Sequence, residues 1–191
     1  DLNVSISCGD RVEIKGCQDL DWIPRIIRLE MARQLHFYRL ANDLRRDSSL
    51  PPLPPDRDSD SRPVENRVKL ATEKRIPFST HDITECFSEC ESEMVTKSVD
   101  NGSCILGISL PGFSDKIGSK KMDEHGSQLP RLGRELASAA KLAGVSGIFH
   151  SDELPAYGIS QSEVESVRSR LSLSEVDAFV MCMAPKWQAE L

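Results

Sequence analysis

No stretch of this sequence approaches the roughly 18 consecutive apolar residues of a membrane-spanning helix, and no basic-then-apolar leader opens it. A helical membrane span is thereby excluded within these residues, and the expected setting is the cytoplasm, with no membrane partner. The six cysteines, at 8, 17, 86, 90, 104 and 182, lie scattered without a CxxC pair. That excludes the dense disulfide framework of small secreted domains and fits a reducing compartment. An excess of positive charge is missing too: 24 lysines and arginines face 30 aspartates and glutamates, for a net charge of −6. Contact with RNA would therefore have to come from local patches. Internal repeats are absent, and so is an initiator methionine. The sequence opens at Asp1 with a strand-like alternation already under way, as expected of a piece of a longer chain.

What remains is a composition of 39% hydrophobic and 28% charged residues over 191 positions, suited to one globular domain or two small ones. The sharpest change falls at residues 48–63, SSLPPLPPDRDSDSRP, where five prolines and several aspartates leave few apolar side chains. Such a stretch neither packs a core nor continues a helix, and reads as a linker or surface loop, extended around Leu50 to Pro55. The PPLPP run is better explained as a spacer than as a ligand for a proline-binding domain. Two pieces follow from this break, one over 1–63 including the linker and one over 64–191.

In the first piece, residues 2–7 and 11–16 alternate with period two around Cys8-Gly9-Asp10, which signals a hairpin. Pairing Ser7 with Arg11 sets Val4 opposite Ile14 and Ile6 opposite Val12 on an apolar face. Asn3 then faces Lys15, and Ser5 faces Glu13, on an ionic one. Residues 22–46 predict a long helix with Asp21 as N-cap and Pro24 in the first turn. Its apolar stripe is Ile23, Ile27, Met31, Leu35 and Tyr38, widened by Ile26, Phe37, Leu40 and Leu44. Arginines 25, 28, 33, 39, 45 and 46 make the helix basic but do not share one stripe, so a solvated face is favoured over a row of phosphate contacts.

The second piece alternates helix and strand. Asp82-x-x-Glu85 predicts a capping box opening a helix with Ile83, Phe87, Cys90 and Met94 on one face and Asn101-Gly102 at its end. Cys104–Leu110 reads as a strand, 113–128 as an exposed loop, 129–143 as a helix stopped by Gly144, and 145–149 as a short strand. Ser160-x-x-Glu163 predicts a second capping box with a helix to Leu171, and 176–183 a central closing strand. Together these give an α+β chain: a hairpin with a long helix, then a small layer of helices on a sheet.

Several groups could carry chemistry. His150, Asp152, Glu153 and Tyr157 form the densest polar cluster, but no nucleophile motif accompanies them and a structural or recognition role is favoured over catalysis. Pro155 and Gly158 suggest a tight turn that positions Tyr157. His81, Cys86 and Cys90 lack a fourth ligand at zinc-site spacing, so buried thiols are expected and no metal site is assigned. Gly118-Ser119-Lys120-Lys121 lacks the spacing of a phosphate-binding loop.

DLNVSI (1–6), RVEIKG (11–16) and GIFHSDELPAYGI (147–159) in this order resemble the E subunit of the archaeal two-subunit glutamyl-tRNA(Gln) amidotransferases. The first two resemble the end of that family's catalytic cradle domain. The third is similar to the domain that the E subunit shares with bacterial-type aspartyl-tRNA synthetases, where it is inserted. The resemblance implies a cradle end over 1–63 and the inserted domain over 64–191. It also implies ATP and Mg2+ as cofactors, an asparaginase-like glutaminase, the D subunit, as partner in a heterotetramer, and tRNA(Gln) charged with glutamate as substrate. Of the residues on the ionic face, Glu13 and Lys15 are then the expected catalytic pair, and Asp1 and Asn3 the expected cofactor ligands. The family's upstream DFNR…PLLE-type segment, which adds carboxylates to the site, is not within these residues, so this chain alone is expected to be inactive. A non-catalytic tRNA- or protein-interaction module is the first alternative. The other is a piece of an aspartyl-tRNA synthetase, which would need a class II catalytic segment where RVEIKG and the basic helix stand.

Overall fold

The alternation over residues 2–7 and 11–16 does fold into an antiparallel hairpin in the computed structural model, which describes residues 1–47, 49–56, 80–118, 121–122, 124–126 and 128–189. Its strands are β1 (Leu2–Val4) and β2 (Val12–Ile14). The register differs from the expected one by two residues: Leu2 lies opposite Ile14, Asn3 opposite Glu13 and Val4 opposite Val12. Because the side-chain period is two, a shift of two leaves every residue on its expected face, so the alternation is equally satisfied by either pairing. The connection is wider than Cys8-Gly9-Asp10, and a turn closes inside it where the Gly9 N–H donates to the Ile6 carbonyl at 2.9 Å.

A short 3-10 turn, Leu20–Trp22, leads into helix α1 (Ile23–Asp47). Asp19 caps the turn by accepting from the Asp21 N–H at 3.0 Å, so the cap lies two residues before the expected Asp21. The apolar stripe of α1 is less buried than its periodicity implies. Met31 is 43% exposed, whereas the buried residues of the helix are Glu30, Gln34 and Arg45. Polar groups take the buried positions because each finds a partner: Gln34 bonds the Val4 carbonyl of β1, Glu30 bonds Gln34 and Arg33, and Arg45 bonds the Pro51 carbonyl.

Residues 50–54 do not run free of the helix. The Leu50 N–H donates to the Arg45 carbonyl at 2.8 Å and Arg45 Nε to the Pro51 carbonyl at 2.6 Å. Tyr38 Oη donates to the Leu53 carbonyl at 3.0 Å, and Asn42 Oδ1 accepts from the Leu53 N–H at 2.7 Å. The start of the proline-rich stretch is thus a strap along α1. Residues 57–63 of it, and with them the expected boundary between 63 and 64, lie outside the described residues.

Two compact units divide the chain; among the described residues the first holds 1–56 with 121–130, the second 80–118 with 131–189. The second unit is built on a four-stranded antiparallel sheet in the order β3-β4-β6-β5, with β3 His81–Asp82, β4 Ser103–Leu110, β5 Phe149–His150 and β6 Ala178–Pro185. β4 and β6 pair along their whole length, from Ser103 opposite Pro185 to Leu110 opposite Ala178, so the closing strand is central as its apolar run requires. Helices α2 (Glu93–Asp100), α3 (Leu132–Leu142), α4 (Gln161–Arg170) and the short α5 (Lys186–Ala189) accompany the sheet, and the chain is of mixed α+β class.

The expected helix at Asp82 is not formed. The Asp82 carboxylate accepts from the Thr84 N–H at 2.9 Å and from Thr84 Oγ1 at 2.6 Å, a local turn that competes with helix formation and leaves one 3-10 turn, Thr84–Phe87. Ile83, Phe87 and Cys90 still reach the core, with Val95, Ile105, Val167 and Phe179, but Met94 is 41% exposed because it sits on the separate helix α2. α2 does end at Asn101-Gly102, and α3 is followed by Gly144, each glycine at positive φ. The strand expected at 145–149 shortens to β5. The stretch from 113 is not simply an exposed loop, since Ile117 is completely buried. At α4 the capping box forms as read: Ser160 Oγ accepts from the Ser162 N–H, and the Glu163 carboxylate accepts from the Ser160 N–H at 2.6 Å.

Candidate functional site

Strand alternation sends Asp1, Asn3, Glu13 and Lys15 to the face of the hairpin turned away from the apolar residues. The observed register decides their neighbours. Asn3 lies opposite Glu13 rather than Lys15, and the same count brings Asp1 level with Lys15. Lys15 Nζ stands 3.0 Å from Glu13 Oε1 and 3.7 Å from Asp1 Oδ2, with its side chain 71% exposed. Ion pairs this open to solvent contribute about 0–1 kcal/mol, so the cluster is not needed to hold the hairpin together. All four residues singled out from the sequence therefore share one accessible face.

In chemical terms the face offers two carboxylates, one amide oxygen and one ammonium. Hard oxygen donors suit Mg2+, which is commonly held by one or two carboxylates together with the phosphates of a substrate. Among the described residues no group of three or more His, Cys, Asp or Glu side chains converges to hold a metal alone. The donor set thus fits a cation that arrives with further oxygen ligands. An open hollow of about 740 Å3, lined by Ser5, Ser7, Asp10, Arg11, Met31 and Asp56, adjoins the turn of the same hairpin.

Support for β1 comes from residues that the sequence pattern does not single out. Gln34 Nε2 donates to the Val4 carbonyl at 3.3 Å and to Glu30 Oε1 at 2.9 Å, while Gln34 Oε1 accepts from the Ile6 N–H at 3.4 Å. Glu30 also accepts from Arg33 Nε and Nη2 at 2.7 and 2.9 Å. Burial alone would raise the Glu30 pKa, but the hydrogen bonds from Arg33 and Gln34 and the Arg33 charge outweigh it and hold the carboxyl below its ordinary value. The signal available in the sequence was a Glu and a Gln four apart within a helix otherwise rich in apolar residues.

The arginines of α1 are largely taken up locally. Arg25 lies over the Trp22 ring at 5.2 Å, Arg33 grips Glu30, and Arg46 pairs with Asp43 at 2.7 Å. Arg28 and Arg39 instead line a cavity of about 500 Å3 with His36, Lys121, Met122 and Leu129. Burial, then the charges of Lys121 and Arg39, lower the His36 pKa.

In the second unit the polar cluster holds loops together. The Asp152 carboxylate accepts from the N–H groups of Asp115, Ile117 and Gly118 at 3.1, 2.8 and 2.9 Å. Glu153 accepts from the His150 N–H at 3.2 Å and from Tyr157 Oη at 3.4 Å. The buried His150 ring is packed so closely that a Cβ on Gly133 would stand 2.6 Å from its Nε2. Tyr157, at φ 60°, and Gly158, at φ 79°, form the tight turn between Ala156 and Ile159 and leave the tyrosine ring 57% exposed. All six thiols are free; burial raises the pKa of Cys90, which packs as part of the core. Ser119 and Lys120 of the Gly118–Lys121 run lie outside the described residues.

Comparison with known proteins supplies the remaining findings. The GAD domain family matches residues 95–190. Over 96% of its length the chain is 40% identical to the glutamyl-tRNA(Gln) amidotransferase E subunit of Pyrococcus furiosus. It is 35% identical over 97% to that of Methanopyrus kandleri, and 35% identical over 100% to that of Sulfurisphaera tokodaii. It spans about a quarter of the length of these relatives, 25%, 25% and 27% in turn.

Proposed function

The chain belongs to the GAD domain family, and from that membership we propose that it is the part of a tRNA-dependent amidotransferase E subunit where the cradle domain ends and the GAD domain begins. The observation that carries this reading is that the likeness to the E subunits extends through the hairpin and α1 as well as the GAD portion, over 96–100% of the chain. In this reading the cradle end covers residues 1–63 and the GAD domain 64–191.

The parent enzyme converts Glu-tRNA(Gln) to Gln-tRNA(Gln). The glutamyl γ-carboxylate takes the terminal phosphoryl group of ATP, and ammonia from a glutaminase partner, the D subunit of a cytoplasmic heterotetramer, displaces the phosphate to leave the amide. Asp1, Asn3 and Glu13 would hold Mg2+ on the hairpin face, where its charge offsets that of the phosphates. Lys15 would set an ammonium against the transferring phosphoryl group, while its contacts with Glu13 and Asp1 keep that ammonium over the face. The GAD domain contributes by interaction rather than chemistry, because its polar cluster is engaged in tying loops together.

In the full-length protein with its glutaminase partner, Glu13→Gln and Lys15→Met should each lower kcat/KM for amide formation by on the order of 10²–10³-fold. Melting should move little, because an exposed pair contributes only about 0–1 kcal/mol. Near-wild-type turnover in both variants would reduce the face to a solvated surface, and a parallel loss of melting temperature would make it structural. On the same reading the 191-residue chain by itself turns over neither ATP nor Glu-tRNA(Gln), since the family's site is completed by a cradle segment outside it.

A further inference from the structure

A buried carboxamide needs partners at both ends, and Gln34, with 7% of its surface exposed, finds them across the hairpin. Its Nε2 donates to the Val4 carbonyl and its Oε1 accepts from the Ile6 N–H, at 3.3 and 3.4 Å. These two backbone groups flank Ser5, the spacing at which a neighbouring strand would take them up. The same Nε2 is held at 2.9 Å by Glu30 Oε1, and Glu30 is gripped in turn by the Arg33 fork. The carboxamide is therefore fixed from the helix side and presented to the strand as a rigid strut. The turn leaves room for it: a Cβ on Gly9 would stand 1.9 Å from Gln34 Oε1.

The strut bears on a choice that the apolar alternation leaves open. In the register expected from the sequence, Ile6 pairs with Val12 and Asn3 faces Lys15. In the observed one, Val4 pairs with Val12, Asn3 faces Glu13, and Asp1 comes level with Lys15. Ile6 stands outside the ladder: its N–H donates to Gln34 Oε1 and its carbonyl accepts from the Gly9 N–H at 2.9 Å. Both backbone groups of Ile6 are engaged by partners outside β2, and pairing begins at Val4.

We propose that Gln34 selects the register of the hairpin and so decides which side chains stand beside Lys15, acting as a positioning residue for the ionic face through the backbone of Val4 and Ile6. Its consequence for activity rests on the reading of that face given above; the register itself does not.

The test uses the isotope-labelled 191-residue chain and its cross-strand nuclear Overhauser contacts. Wild type should show Leu2–Ile14 and Asn3–Glu13 contacts. Gln34→Met, which keeps length and helix propensity but has no amide, should replace them with Val4–Ile14 and Ile6–Val12. Gly9→Ala, which drives a methyl group onto Oε1, should do the same without touching residue 34, and carries the test if Gln34→Met does not fold. Retention of the Leu2–Ile14 and Asn3–Glu13 contacts in these variants overturns the proposal.

Placed in the full-length protein, both variants should lower amide formation on the order of 10²-fold, as small displacements of positioned groups do. The double variant should be no worse than either single one, and glutamine hydrolysis by the partner should be unchanged. A shifted register with wild-type amide formation, while Glu13→Gln remains damaging, would overturn the positioning role. If Glu13→Gln and Lys15→Met are themselves silent, the reading of the ionic face fails, and the cross-strand contacts alone decide for or against Gln34.

Discussion

Asp152 shows what a single side chain does in this protein. Its two carboxylate oxygens take three N–H groups from one short segment, those of Asp115, Ile117 and Gly118, and so pin the loop that buries Ile117. Charge-assisted bonds to backbone donors are worth more than neutral ones, and losing them strands the donors under the loop. Asp152→Ala should therefore destabilise the second unit by about 2–3 kcal/mol, read as a lower urea midpoint at unchanged slope, with Asp152→Asn losing less. A midpoint for Asp152→Ala indistinguishable from wild type would show the clamp to be idle. The density of polar residues at 150–157 is legible in the sequence. The partners of Asp152 are not, since they lie 34 to 37 positions away and donate through backbone atoms that every residue has. For Gln34 only the Glu30 partner is marked in the sequence; its strand-side partners are a carbonyl and an N–H, which carry no sequence signature.

Among the elements, sequence determines structure most directly where cause and effect lie close together along the chain. Ser160 and Glu163 cap α4 as expected because both halves of the box lie within one turn. The same spacing at Asp82 failed because Thr84 gave the aspartate a nearer partner. In the hairpin, the alternation fixed the faces but not the register, for the side-chain pattern repeats every two residues. The central strands offer a test of their own. Asp177, at the entrance to β6, accepts from Ser174 N and Oγ at 2.9 and 2.6 Å and from the Gly112 N–H, just past β4, at 2.8 Å. Burial alone would raise its pKa, but these bonds and the Arg168 charge outweigh it and lower the folded value. A carboxyl lowered in this way contributes stability above its unfolded pKa, and loses that contribution as pH falls through the folded one. Stability of the second unit should thus decline below about pH 4, and Asp177→Asn should make that decline shallower. An unaltered pH profile in Asp177→Asn would remove the carboxylate from the account of how β4 and β6 are joined.

At the scale of the whole molecule, the proline-rich stretch stands out in composition, and the GAD match lies after it along the chain. Hidden from the sequence was the grouping of residues 121–130 with the first unit, a matter of contacts between positions far apart. Residues 68–191 should nonetheless unfold in urea as one cooperative transition, because the core of Ile83, Phe87, Val95, Ile105, Val167 and Phe179 lies wholly within them. A gradual transition would defeat that boundary. Among the described residues, no helix is long and apolar enough to cross a membrane. The strap along α1 has a mechanical meaning as well. The helix ends at Asp47, yet the backbone is fastened again at Pro51 and Leu53, against Arg45, Asn42 and Tyr38. At 1.5 Å of rise per residue, those fastenings carry the chain back by about 10 Å along the helix axis. A tug on whatever follows is then taken by an anchorage on the flank of the helix, and its last turn is spared the load.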